Sequence, residues 1–161
     1  MTQSKQQLQS DMASANSNAW QCEQNAAAAQ IRVDALNAQI SAVNAAIKYA
    51  QDFKNGALDN LKKQDDGIMK LLNTLGSEAG MGIGDYDACC QARNISSGNK
   101  DFIDQIDNQC NSIINRLNQQ LSGLSGQLSD AQNTVTDQNK QANSARQRAA
   151  SAQRQLRQIQ S

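Results

Sequence analysis

The sequence predicts an all-α protein, a long antiparallel coiled-coil helical hairpin, and three observations carry that prediction. Proline is absent from the 161 residues. Apolar residues recur in alternating steps of four and three through both halves of the chain. A glycine-rich segment separates the two runs.

The first run reads Leu8, Met12, Ala15, Ala19, Cys22, Ala26, Ala29, Val33, Leu36, Ile40, Val43, Ile47 and Ala50. It continues through Ala57, Leu61, Ile68, Leu71 and Leu75, with Lys54 and Gln64 as its interruptions. A heptad held this long is the pattern of a supercoiled helix, because 3.5 residues per turn keeps one stripe facing a partner. It predicts one helix over 3–75. Gly76, Gly80, Gly82, Gly84 and Gly98 then predict a Gly/Cys-rich bend over 76–98, since glycine at this density punctuates helices.

Ser96, Ser97 and Asn99 offer caps for a second helix over 100–160, and Asp101 and Asp104 fall where its dipole favours acids. Its seam opens with Phe102, Ile106, Cys110, Ile113 and Leu117; the step of four on to Leu121 reads as a stutter. The frame resumes as Leu124, Leu128, Ala131, Val135, Gln138, Ala142, Ala145, Ala149, Ala152, Leu156 and Ile159. Folding the chain at the glycines matches the seams when paired residue numbers sum to about 171. Ala15 then falls beside Leu156, Cys22 beside Ala149 and Ala26 beside Ala145. The alternative is an elongated three-helix bundle with a break at Gly56; the frame running through Gly56 favours the hairpin. Either way residues 1–161 read as a single elongated domain.

Alanines line the open end of this hairpin. A buried methyl group contributes only about 0.8 kcal/mol, so the pair is weak alone and calls for a partner. The sequence therefore predicts an assembly interface at Ala15, Ala19, Ala26, Ala142, Ala145, Ala149 and Ala152, with Arg146, Arg148, Arg154 and Arg157 around it. At the bend, Met81, Ile83 and Tyr86 form a candidate tip contact, weighed against a fold-back over the end of the seam.

The cysteines are Cys22, Cys89, Cys90 and Cys110, and an even count fits disulfides and an oxidising location. Cys22 and Cys110 read equally well as small buried thiols. Adjacent Cys89 and Cys90 cannot easily bond each other, so one is expected to reach Cys110. Cys22 lies about 80 Å from the bend along a helix rising 1.5 Å per residue. It pairs with a neighbouring copy, stays reduced, or meets Cys89 or Cys90 in the three-helix layout. With no histidine and no Cys-x-x-Cys pair, no zinc site is predicted, and no other cofactor is indicated. Asp85 with Asp87, or Asp101, Asp104 and Asp107, read as helix-start acids before a loose calcium site. Asn94-Ile95-Ser96 matches a glycosylation sequon of a kind that an Asn- and Ser-rich chain makes by chance.

Fifteen basic and fifteen acidic residues cancel overall but not locally. Over 78–110, Glu78, Asp85, Asp87, Asp101, Asp104 and Asp107 outnumber Arg93 and Lys100. Over 138–161 stand Lys140, Arg146, Arg148, Arg154 and Arg157 with no acid. Head-to-tail stacking would bring the two segments together, and a heterologous contact that does not close makes a filament. A basic helix end complementing its own dipole is the competing account. Nucleic-acid binding is not predicted, because no aromatics interleave with the bases and the net charge is zero.

Without histidine, a phosphate loop between strand and helix, or a nucleophile–base set, the chain is not predicted to be an enzyme. The leading expectation is a structural self-assembling coiled coil of a filament, sheath or lattice, with itself as partner. The alternative is a secreted hairpin interaction module, or a secretion-system companion, that docks a protein partner. In outline the hairpin resembles small secreted hairpins of the WXG type, though Trp20 is followed by Gln21 and Cys22 rather than by x-Gly. Its Ala, Asn, Gln and Ser composition resembles the coiled-coil ends of flagellin-type proteins. No membrane span is predicted. The polar N-terminus lacks the apolar segment of a secretory signal, so the extracellular or secretory location suggested by the cysteines is expected to be reached by a signal-independent route or as a processed fragment, with a cytoplasmic one left open.

Overall fold

A computed structural model describes residues 4–77 and 83–160, with side chains over 4–71, 91–92 and 94–159. Helix α1 spans Lys5–Phe53, a π-helical turn follows at Lys54–Leu58, α2 spans Asp59–Ser77, and α3 spans Ile83–Gln160. The described residues contain no strand. The fold is an all-α hairpin in which the first arm, α1 and α2, packs against α3. Contacts divide the chain into two compact units: Met1–Ser41 with Ser122–Ser161, and Ala42–Leu121.

Ser4 starts α1. Its Oγ accepts the backbone N–H of Gln7 at 3.2 Å and its carbonyl accepts that of Leu8 at 3.1 Å. The first bond satisfies a donor that the first helical turn leaves without an intrahelical partner, and the second is the first intrahelical bond of α1.

In the first unit the heptad places the core as the sequence predicts. Leu8, Ala15, Ala19, Ala26, Val33 and Leu36 of α1 are buried, as are Leu124, Ala131, Ala142, Ala145, Ala149, Ala152 and Leu156 of α3. Ile159, expected to close the seam, is exposed. The register differs from the expected one. Leu8 packs with Ala152 and Leu156, and Met12 joins them. Cys22 meets Gln141 rather than Ala149. These contacts move the seams by one heptad. A shift of seven maps every seam position onto another seam position, so the apolar pattern alone does not distinguish the two registers.

The second unit departs further. The bend expected over 76–98 is narrower, because α2 reaches Ser77 and α3 begins at Ile83. Ser96 to Asn99 lie inside α3 instead of capping it. Gly56 does not break the first arm; it sits within the π turn, so the three-helix alternative does not form. That turn carries one residue more than an α-helical turn and advances the seam by one position. Leu58 is the buried residue, 1% exposed, in place of Ala57. Lys62, Asp65 and Met69 follow it inward, while Leu61 and Ile68 stand 48% and 52% exposed and Leu71 is exposed too. The opposing seam of α3 shifts with it. Ile103 is buried where Phe102 was expected, and Ile114 turns inward where Ile113 was expected. From Ile103 the inward positions then run Asp107, Cys110, Ile114, Leu117, Leu121 and Leu124 in strict alternation, so the stutter expected at Leu117–Leu121 is absent. The discontinuity sits in the first arm, at Lys54–Leu58.

Candidate functional site

The second unit has two unlike edges. With Leu58, Lys62, Asp65 and Met69 lettered d, a, d and a, Asp59 and Asp66 are e positions while Leu61 and Ile68 are g positions. In α3, Ile103, Asp107, Cys110 and Ile114 are d, a, d and a. Asp104 is then e, Ile113 is g, and Ile95 and Phe102 are c. In an antiparallel pair the e positions of both helices share one edge, and the g positions share the other.

The e edge and the adjoining seam are charged. Lys62 Nζ donates to Asp107 Oδ2 at 2.7 Å. Lys54 Nζ donates to Asn111 Oδ1 at 2.6 Å and stands 3.6 Å from Asp107 Oδ1. The hydrogen bond from Lys62, helped by the charge of Lys54, holds the Asp107 carboxyl below its ordinary value against the opposing effect of desolvation. The same bond raises Lys62, and Asp104 and Asp59 add to the effect. Lys62, Asp65, Asp66, Lys100, Ile103 and Asp104 line a small pocket on this edge. Deeper in the seam, Ser96 Oγ donates to Asp65 Oδ1 at 3.0 Å, and the two residues are 4% and 7% exposed. Asp65 Oδ2 is buried with no partner. Asp101, Asp104 and Asp107, expected as helix-start acids, lie well inside α3.

The opposite face is apolar. Leu61, Ile68 and Leu71 of α2 and Ile95, Phe102 and Ile113 of α3 are all exposed. Tyr49 and Phe53, at c and g of the last turns of α1, extend it. Along Asp59–Leu71 and residues 94–115, every charged side chain falls on a, b, d or e and none on c, f or g. The sequence reading placed Leu61, Ile68, Leu71, Phe102 and Ile113 in the seam and so missed this face. Its available signal was Lys54, a charge at a seam position, which marks the start of the π turn.

The predicted assembly residues are engaged within the chain. Ala15, Ala19, Ala26, Ala142, Ala145, Ala149 and Ala152 are buried between α1 and α3. Arg146 Nη2 lies 2.6 Å from Glu23 Oε1. Arg154 Nε bonds the Ala150 carbonyl at 3.4 Å, Arg148 lines a shallow groove with Asn18 and Ser151, and Arg157 sits in the last turn of α3. Asn25 Nδ2 donates to Gln138 Oε1 at 3.4 Å, a polar rung in the alanine seam.

Cys22 and Cys110 are free thiols. The bond expected from Cys110 to Cys89 or Cys90 is therefore not made, and Cys22 Sγ instead lies 3.9 Å from Gln141 Oε1. Both cysteines are half-buried small side chains at seam positions. The side chains of Cys89 and Cys90 lie outside the described residues. So do Met81 and the side chains of Ile83 and Tyr86 from the expected tip contact, although the last two belong to the start of α3.

Among the described residues no group of three or more His, Cys, Asp or Glu is placed to hold a metal ion, and no helix is long and apolar enough to cross a membrane. The class this geometry defines is an all-α coiled-coil hairpin with one charged and one apolar edge in its second unit. No family model, curated protein or solved structure matches the chain.

Proposed function

We propose that the protein is a structural, self-assembling coiled-coil component of a filament, sheath or lattice, secreted or stored. The observation that carries this reading is the exposed apolar face of the second unit, where Phe102 is 63% exposed with Leu61, Ile68 and Ile95 on the same side. Contiguous apolar surface rimmed by polar residues marks an interaction site. The basic run over 138–161 and the acidic run over 78–110 support end-to-end association as a second, salt-sensitive contact. Sedimentation velocity across concentration, at low and high salt, tests the reading. Association that grows with concentration is expected; a monomer under every condition would overturn it.

A second reading, a hairpin that docks a different protein, is favoured by the π turn beside the same face, because such turns are frequent at functional sites. One stoichiometric complex with a foreign protein, formed by a chain that does not self-associate, would favour it.

A further inference from the structure

We infer that the apolar face of the second unit is where two copies of this chain meet, face to face, as an antiparallel four-helix bundle. The inference rests on the self-assembly reading above and names its surface and its geometry.

Leu61, Ile68, Leu71, Ile95, Phe102 and Ile113 are between 43% and 68% exposed. Side chains of roughly 150–200 Å² at half exposure leave on the order of 600 Å² of apolar surface. Gln64, Asn99 and Gln109, exposed between them, bring the patch towards the about 800 Å² that each partner of a standard interface buries.

The c, f and g positions of α2 and of residues 94–115 carry no charged side chain, so one copy presents nothing that repels the same face of another. Over Asp59–Leu71 and residues 94–115 the charges lie on the other edge and the seam, where Lys62 and Lys54 pair with Asp107, and the nearest described charges flanking the patch are Asp52 and Arg116, one of each sign. A partner recognised through charge would find no opposite sign here. A neutral apolar centre with a neutral rim is self-complementary, as a two-fold interface requires. The amides of Gln64, Asn99 and Gln109 both donate and accept, so each can bond its own counterpart.

Lys62 and Ile103 line one pocket on the charged edge. Leu61 and Phe102, their neighbours in sequence, therefore stand at one level of the opposite face. Each arm contributes to the patch, so both helices of one hairpin present ridges to both helices of the other, which is the packing of a four-helix bundle.

The test uses the full chain in sedimentation equilibrium and size-exclusion chromatography with light scattering. Phe102→Glu and Leu61→Glu place a charge at the centre of the patch, and both positions are exposed in the single chain. Each is expected to weaken dimerisation at least 100-fold with helical content by circular dichroism unchanged. Ile31→Glu, at an exposed apolar residue of the first unit, is expected to leave association as it was. If the native chain associates and the Phe102 and Leu61 variants associate equally well, this interface is wrong while self-assembly stands. If the native chain is monomeric throughout, both readings fall.

Discussion

Lys62 Nζ sits 2.7 Å from Asp107 Oδ2 across the seam of the second unit, at positions where an apolar pattern read one residue earlier would have placed Leu61 and Ile106. The seam there accepts charge while Leu61 faces outward and Ile106 stays half-buried at its edge. The pair makes stability depend on pH in a defined sense. Asp107 titrates below the ordinary carboxylate value of 3.8, so its contribution is present above that value and is lost as pH falls through the lowered one. Lys62 titrates above 10.5, so its contribution is full below that value and is lost as pH rises through the raised one. Thermal melts should show a plateau between the two limits and a decline at each end. Asp107→Asn should lower the melting temperature on the plateau and flatten the acid decline. An unchanged acid slope in that variant would count against the assignment.

Ser96 and Asp65 form a second polar layer, more deeply buried than the first. Removing one partner leaves the other buried and unsatisfied. Ser96→Ala is therefore expected to cost about 1–3 kcal/mol in urea unfolding. Replacing both together, Ser96→Ala with Asp65→Leu, removes the buried carboxylate whose Oδ2 has no partner. That double variant is expected to be at least as stable as the native chain, because a well-packed apolar pair of similar volume commonly matches or exceeds a buried polar one. A double variant weaker than Ser96→Ala alone would show that the layer is stabilising in its own right.

These layers also show how far the sequence could be read. Leu8 to Ala50 and Leu124 to Leu156 were legible because nearly all their seam positions are apolar and the large apolar residues outside them, Trp20, Ile31 and Tyr49, are too scattered to make a second frame. Between Ala57 and Leu75 two frames compete, and pattern alone selects the more apolar one. The structure selects the other because α3 keeps an unbroken frame from Ile103 to Leu156, and the first arm adjusts to it through one extra residue at Lys54–Leu58. Leu61, Ile68, Leu71, Phe102 and Ile113 were thus visible as apolar residues but were assigned to the seam, whereas they are exposed. The bend was overestimated because Gly84 and Gly98 were read as helix breakers; both lie in α3, and a Cβ on Gly98 would meet nothing within 4 Å.

The register offers a covalent test. Leu8 and Leu156 share a buried cluster, whereas the pattern-based pairing set Ala15 beside Leu156. In a background with the four native cysteines replaced by serine, Leu8→Cys with Leu156→Cys should oxidise within one chain. Ala15→Cys with Leu156→Cys should not, because the disulfide reach of about 4.4–6.8 Å between Cα atoms is shorter than one heptad of helix. Mass spectrometry after mild oxidation at low protein concentration reads the result. Efficient closure of the second pair and not the first would restore the expected register.

The π turn is the last feature with a direct consequence. It inserts one residue between Lys54 and Leu58, both turned towards α3, and a Cβ on Gly56 would meet nothing within 4 Å. Deleting Gly56 leaves Lys54 and Leu58 three apart, the spacing of adjacent seam positions in a plain α-helix. Leu58, Lys62, Asp65 and Met69 then keep their places, and the apolar face stays outward. The deletion also removes a glycine from a helix interior, worth about 1 kcal/mol. The expected outcome is a stability gain of that order in urea unfolding, with self-association unchanged. A loss of stability would mean that the extra residue supports the packing of this unit. Retained stability with lost association would mean that the turn itself shapes the interface.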